Sequence, residues 1–322
     1  MAHEAKHGTR VVAYTGGAAR RLRASALRWV GAMLILGPSA CSKDDAQSDS
    51  DARADGSPDR GDVGDAAADS GSDDGKCTRV RIKAMIDTYY AALAARDPSK
   101  APFSESVKYT ENGKTVAIGD GLWKTAGALK FKRSVVDTES CNSVSESVVD
   151  DDGTDRVVGL RLKTEAAKIT EVEAMVIHPG DYPFAANPQA IIDSMSDDWE
   201  TPLPADKRAT RESLTLLVDR YFKLFPAGAC GFMQGCQRLE NGFAPPGYDC
   251  DDLLSCDMST DVSMISGAMS PRLRVIDVET SVAVGFAMFA GAYTDFHMFK
   301  VRDGEVVGVH ATLAAAMSSG WD

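Results

Sequence analysis

One short stretch occurs twice and limits what this chain can fold into: Tyr109-Thr110-Glu111-Asn112-Gly113 and Arg238-Leu239-Glu240-Asn241-Gly242. Each copy follows an amphipathic helical pattern and precedes a strand-rich run. Leu162-Lys163 aligns with Phe299-Lys300, and Ile169-Thr170-Glu171-Val172 with Val306-Val307-Gly308-Val309, at one offset of 137 residues without a gap. Asp87-x-x-Tyr90 lies over Asp219-x-x-Phe222. Self-similarity of this kind marks a duplicated structural unit, and the length allows roughly two domains.

The elements of each copy follow from periodicity. Val80, Met85, Ile86, Tyr89, Tyr90 and Leu93 recur at helical spacing, which predicts an amphipathic helix over 79–96, stopped by Asp97-Pro98-Ser99. Leu122-Trp123-Lys124-Thr125-Ala126 reads as a short helix. Strand-like runs follow at 131–138, 143–150, 156–165 and 168–178. The stretch Asp150 to Asp155 has the Asp and Gly residues of a hairpin turn. In the second copy a helix over 207–225 presents Leu214, Leu217, Val218, Tyr221, Phe222 and Phe225. A short helix near 259–267 and strands at 272–280, 282–290, 294–302 and 305–313 complete it. A helix followed by a meander of long strands is an α+β pattern. The expected division is 77–180 for the first unit, 181–206 for a Pro- and Asp-rich connector, and 207–322 for the second unit.

The N-terminal part has a different character. Residues 1–41 carry +5, 42–76 carry −7 and 77–322 carry −10, together the −12 of the whole chain. An acidic body repels phosphate backbones, which argues against nucleic acid as a partner. Arg20, Arg21, Arg23 and Arg28 precede the apolar run Trp29 to Gly37, then Ser39-Ala40 and Cys41. A basic region, a short apolar region and a small-residue exit describe a signal peptide over 1–41. The end resembles a bacterial lipobox, with Pro38 where that motif usually has Leu. The resemblance implies lipidation of Cys41 and a membrane anchor on the cell envelope. Residues 42–76 are mostly Asp, Ala, Ser and Gly, too polar to bury a core, and are expected to be a disordered tether.

Setting Cys41 aside leaves six cysteines, an even number that fits disulfides in an exported chain. Cys77 and Cys141 both fall in the first unit and are expected to pair. Cys230, Cys236, Cys250 and Cys256 cluster in the second and are expected to form two bridges. Their spacings are not those of paired CxxC zinc knuckles, so no metal is assigned.

The opening helix with Tyr89-Tyr90-Ala91-Ala92-Leu93, the Tyr109 to Gly113 stretch, Gly119-Asp120-Gly121-Leu122-Trp123 and Lys168 to Glu173 resemble the nuclear-transport-factor-2-like, or cystatin-like, cone. The layout is similar to an uncharacterised, often secreted family with two such units in tandem, as are Cys236 to Gly242 and the terminal Ser319-Gly320-Trp321. The resemblance implies two cone-like units, each an N-terminal helix packed in a curved antiparallel sheet. It says little about function, because this superfold hosts isomerases, dehydratases, cyclases and plain binders.

Such cones bind ligands in their interiors. At the 137-residue offset Glu173 falls on His310, and either is a candidate general base if it points into its cone. The alternative for both is a sheet face. Tyr109, Glu111, Asn112, Trp123, Arg238, Glu240 and Asn241 are candidate ligand-binding residues, although Asn-Gly is also the ordinary signal of a tight turn. His297, beside Phe296 and Phe299, reads as a sheet-face residue. No cofactor motif is present. The expected role is an exported, lipid-anchored protein binding a small, partly apolar molecule. The alternatives are an isomerase, dehydratase or hydrolase using Glu173 or His310, and a structural protein that binds a protein partner or a second copy.

Overall fold

A computed structural model of the chain describes residues 76–181, 186–196, 198–224, 236–244, 271–289 and 291–321. The expected signal peptide with Cys41, the tether before Lys76, Phe225, Cys230, Cys250, Cys256 and the helix near 259–267 lie outside the described residues.

Helix α1 (Arg79–Ala94) forms because Ile82, Met85, Ile86, Tyr89, Tyr90 and Leu93 stack on one face and all are buried. Thr78 caps it, its hydroxyl accepting from the Arg81 amide at 3.3 Å. The helix packs on a sheet of β1 (Phe103–Glu111), β2 (Lys114–Thr115), β3 (Ala126–Asp137), β4 (Asn142–Asp151), β5 (Thr154–Glu165) and β6 (Lys168–Val176), in the order β2-β1-β6-β5-β4-β3. The predicted hairpin turn joins β4 to β5, with Asp152 and Gly153 both at positive φ. The predicted short helix is a 3-10 turn at Gly121–Lys124.

The second unit repeats this plan. After the connector helix α2 (Pro188–Asp193), α3 (Arg211–Leu224) covers a sheet of β7 (Gln237–Glu240), β8 (Leu273–Asp277), β9 (Val282–Phe289), β10 (Tyr293–Arg302) and β11 (Glu305–Ala315), ordered β7-β11-β10-β9-β8. The 137-residue offset is visible in the register: Leu162 pairs with Val172, and Phe299 with Val309. One expectation needs correction. The sheets are mixed rather than antiparallel, because β1 joins β6, and β7 joins β11, in parallel. β7 is too short to show an alternation, while in β1 Phe103, Val107 and Tyr109 face the first core with polar residues between them, Glu105 interrupting the pattern.

The Asn-Gly pairs explain the parallel pairing. Asn112 and Asn241 sit at φ 47° and 50°, a left-handed geometry that Asn tolerates. The Asn112 side chain donates to the Val176 carbonyl and accepts from the Val176 amide, both at 2.8 Å. Asn241 does the same to Leu313, at 3.0 and 2.9 Å. Each Asn therefore stands in for a missing strand residue and holds the parallel pair together. The glycines that follow admit the tail of the opposite unit. A Cβ on Gly113 would lie 2.0 Å from the Ser318 carbonyl oxygen, and one on Gly242 would lie 2.1 Å from that of Asn187.

The two sheets pack against each other by the faces that α1 and α3 leave uncovered. Val135, Val144, Val148, Val157 and Met175 of the first sheet meet Val275, Val284, Phe286, Phe296 and Met298 of the second. Each such side chain contributes about 1.5–3 kcal/mol when fully buried. The junction is pseudo-twofold. Asp137 accepts from the Ile276 amide, and Asp277 from the Val136 amide, each at 3.1 Å. Arg211 of α3 pairs with Asp137, and Arg79 of α1 pairs with Asp277. Burial opposes ionisation of Asp137, but Arg211 and the Ile276 amide outweigh it and lower its pKa. This is the reciprocity of an isologous dimer built into one chain.

Gly113→Ala and Gly242→Ala are each expected to cost more than the roughly 1–2 kcal/mol of left-handed backbone strain, because the added methyl group also displaces a tail. Gly153→Ala, also at positive φ but with no atom within 4 Å of the added carbon, is the control for strain alone. Chemical denaturation of the three variants checks this. Equal losses in all three would mean that the tails contribute nothing.

Candidate functional site

The interiors of the two units differ. In the first, Tyr89, Tyr109 and Trp123 are each about 1% exposed, and Tyr89 meets Trp123 edge-on at 5.4 Å. Tyr109 donates to Glu111 Oε2 at 2.6 Å, and the Leu122 amide donates to the same oxygen at 2.7 Å. Glu111 thus ties β1 to the start of the 3-10 turn that carries Trp123. Burial, reinforced by neighbouring Tyr89 and Glu111, pushes the Tyr109 phenol far above its ordinary value. Tyr109, Glu111 and Trp123 are structural contacts of an occupied core, and Asn112 and Asn241 are strand clamps.

The second interior holds charge. Arg238 and Glu240, two residues apart on β7, point the same way. Arg238 donates to Glu240 Oε1 through Nε at 3.2 Å and Nη2 at 2.6 Å, and to the Tyr221 hydroxyl of α3 through Nη1 at 3.0 Å. On β10, His297 Nδ1 lies 3.0 Å from Asp295 Oδ2. All five side chains are buried. The His297 ring lies nearly parallel to Phe289 and Phe299, at 29° and 20°, and its centroid is 5.0 Å from that of Tyr221. Burial raises the Asp295 carboxyl, with His297 acting against it. Burial pushes the Tyr221 phenol up to about 12, with Arg238 opposing. Burial would lower Arg238, but Tyr221 and Glu240 outweigh it and raise its pKa.

Five polar groups inside one small core cost several kcal/mol in desolvation. Groups perturbed in this way concentrate at functional sites. The aligned positions of the first unit are apolar or neutral: Val158 for Asp295, Leu160 for His297, Tyr109 for Arg238. The repeat therefore contained the signal that picks out Asp295 and His297, as polar substitutions on a face that is otherwise aliphatic. Tyr221 carried no such signal, because Tyr89 occupies the matching place.

Glu173 and His310 lie in neither cone. Both are on the faces between the sheets, 2% and 0% exposed. Glu173 is held by Arg161 at 3.1 Å and by Arg272. His310 Nδ1 lies 2.9 Å from Glu146 Oε2, which also pairs with Arg133 at 3.3 Å, and Trp199 covers the His310 ring at 4.8 Å. Burial opposes ionisation of Glu146, but His310 and Arg133 outweigh it and hold its pKa low. The expected equivalence of Glu173 and His310 is correct in register, Arg161 pairing with Glu173 as Met298 does with His310. Their face is opposite to the one a cone base needs.

Cys77 and Cys141 are bonded, as expected. Cys236 is also in a disulfide, and the other three members of its cluster lie outside the described residues. Among the described residues no group of three or more His, Cys, Asp or Glu side chains is placed to hold a metal ion.

Fold and site together define an α+β protein of two cone-like units, the second with a buried acid–base cluster. Residues 207–313 match the model of a family described as a domain of unknown function, DUF8021. No curated protein matches the chain. Among solved structures it is similar to a protein of unknown function with a cystatin-like fold from Methylobium petroleophilum PM1. That match has 15% identity and a TM-score of 0.29, covering 34% of this chain and 84% of that one. It is also similar to an NTF2-like protein of unknown function from Cytophaga hutchinsonii ATCC 33406, at 10% identity and a TM-score of 0.25, over 30% and 89% of the two chains. A de novo designed protein with a curved β-sheet matches at 16% identity and a TM-score of 0.27, over 31% and 88%.

Proposed function

We propose that this is an exported, lipid-anchored envelope protein whose second cone binds a small, partly apolar molecule, with His297 positioned by Asp295 to exchange a proton with it. The observation that carries the reading is the buried Asp295–His297 pair beside the Arg238–Glu240–Tyr221 cluster, where the first cone has Val158, Leu160 and Tyr109. With Nδ1–H donated to the Asp295 carboxylate, His297 presents the lone pair of Nε2. That is the arrangement of an oriented general base. The aromatic and aliphatic wall, with Phe222, Phe299, Val309 and Leu313, fits the apolar part of the molecule. The base assigned from the repeat moves from Glu173 or His310 to His297. A purely structural role is less well supported, because the free face of each sheet is already covered by the other.

The double variant Asp295→Val/His297→Leu makes the second cone like the first. It is expected to fold with equal or greater stability, since replacing buried ionic groups by apolar ones is often neutral or stabilising by about 1–4 kcal/mol. It is also expected to lose every thermal shift that a metabolite library produces in the native protein. Shifts retained in the variant would place the binding elsewhere.

The anchor is supported by the basic region, the apolar run and the Ser-Ala-Cys exit, and by a disulfide that suits an oxidising compartment. A Cys41→Ser variant should leave the membrane fraction of a lipoprotein-processing host. Its retention there would remove the lipid tether from the proposal.

A further inference from the structure

We infer that the molecule taken into the second cone is neutral or cationic and offers a hydrogen-bond donor, an alcohol or an amine on an apolar body, to His297 Nε2 and Asp295 Oδ1. This rests on the reading of the second cone as the binding site, and it narrows that reading to a chemical class.

Two observations carry it. First, His297 Nε2 and Asp295 Oδ1 are buried and have no hydrogen-bond partner among the described residues. Buried polar atoms are nearly always partnered, and these two belong to side chains already joined to each other at 3.0 Å. Both atoms accept: Oδ1 as a carboxylate oxygen, and Nε2 because Nδ1 carries the proton given to Asp295. What completes them is an X–H group and not a second acceptor. Second, the described interior has no positive charge to spare. Its guanidinium, Arg238, is forked onto Glu240 Oε1 and turned by Nη1 toward Tyr221. With Glu240 neutralising Arg238, the charge left over is the negative charge of the Asp295 carboxylate that accepts from His297. A carboxylate or phosphate entering here would lose its water without gaining a counter-ion. An ammonium or a hydroxyl meets acceptors instead, and the Phe222 and Phe299 rings around His297 suit an apolar body or the face of a cation.

The test uses three probes of one shape, benzyl alcohol, benzylamine and benzoate, titrated at millimolar concentration into the oxidised full chain. The readout is the imidazole ring resonances, with His297 assigned by their loss in His297→Leu. Benzyl alcohol and benzylamine are expected to move the His297 signals, benzoate at least tenfold more weakly, and the Asp295→Val/His297→Leu variant is expected to bind none of them. Comparable binding of alcohol and amine would identify the shared donor as the recognised feature, and a preference for the amine would identify its charge. Benzoate binding tightest at His297 would overturn the class while keeping the cone as the site. Alcohol and amine binding unchanged in the double variant would overturn the site itself. Silence of the His297 signals toward all three probes would count against the proposal as well.

Discussion

Arg238→Leu is expected to lower the unfolding free energy by about 3–5 kcal/mol, the usual loss when one partner of a buried ion pair is removed. Arg238 is 4% exposed and Glu240 6%, so little water reaches the carboxylate once its guanidinium is gone. The Glu240 charge would then stand beside Asp295, whose own carboxyl burial already pushes up, and the two would repel. Arg238→Leu/Glu240→Leu should regain most of the loss, because both members of the ion pair are removed together and the leucines fill comparable space. The first unit supplies a comparison. Tyr109→Phe removes one hydrogen bond to Glu111 and should cost only about 1 kcal/mol. Urea unfolding of the four proteins, at one pH and with disulfides intact, decides the matter. A loss below about 1 kcal/mol for Arg238→Leu would mean that Glu240 is not held as a charge, and the electrostatic account of the cone would fail with it.

The second large effect concerns the Cys77–Cys141 bridge, which closes a loop with a sequence separation of 64. The chain-entropy relation for a loop of that size corresponds to roughly 4 kcal/mol, and Cys77→Ser/Cys141→Ser should lose about that much. The bridge also fixes the entry to α1. Thr78, the next residue, caps the helix, and Arg79 reaches across to Asp277 of the other unit. The loss should therefore be accompanied by weaker coupling between the units, seen as a broader denaturant transition. Substitution is preferable to a reductant, because Cys236 is also in a disulfide. A variant as stable as the native chain would show that the unfolded state is already compact around α1, and would weaken the case for an oxidising compartment.

Much of the fold was legible because the chain states it twice. The helix faces of α1 and α3 (apart from Val80, which is 81% exposed at the start of α1), the runs that became β3 to β6 and β8 to β11, the turn at Asp152-Gly153 and the Cys77–Cys141 pairing follow from periodicity, turn chemistry and position. The strands β1 and β7 did not, since each is half-exposed or very short and acquires its conformation from a parallel partner and an Asn clamp. The repeated Glu-Asn-Gly was visible, but its meaning was not. Asn holds a strand edge, Gly makes room for a tail some 200 positions away in the case of Gly113 and Ser318, and only Glu240 stands in the charged interior.

Along β6, Glu171, Glu173 and Met175 lie on one face and Val172, Ala174 and Val176 on the other, the latter packed in the first core. Period-two patterning names two faces and does not say which one a helix will cover. That assignment was made when α1 settled on the valine face and the second sheet closed over the glutamates. Arg161 and Arg272 then took up the charge of Glu173. The same choice turned His310 toward Glu146 and His297 into the second cone. The sequence determined the elements, the duplication and the polar substitutions that distinguish the second copy from the first. Tertiary packing alone decided which of those polar residues share one buried space, because that depends on which face each sheet gives to its helix and which to the other sheet.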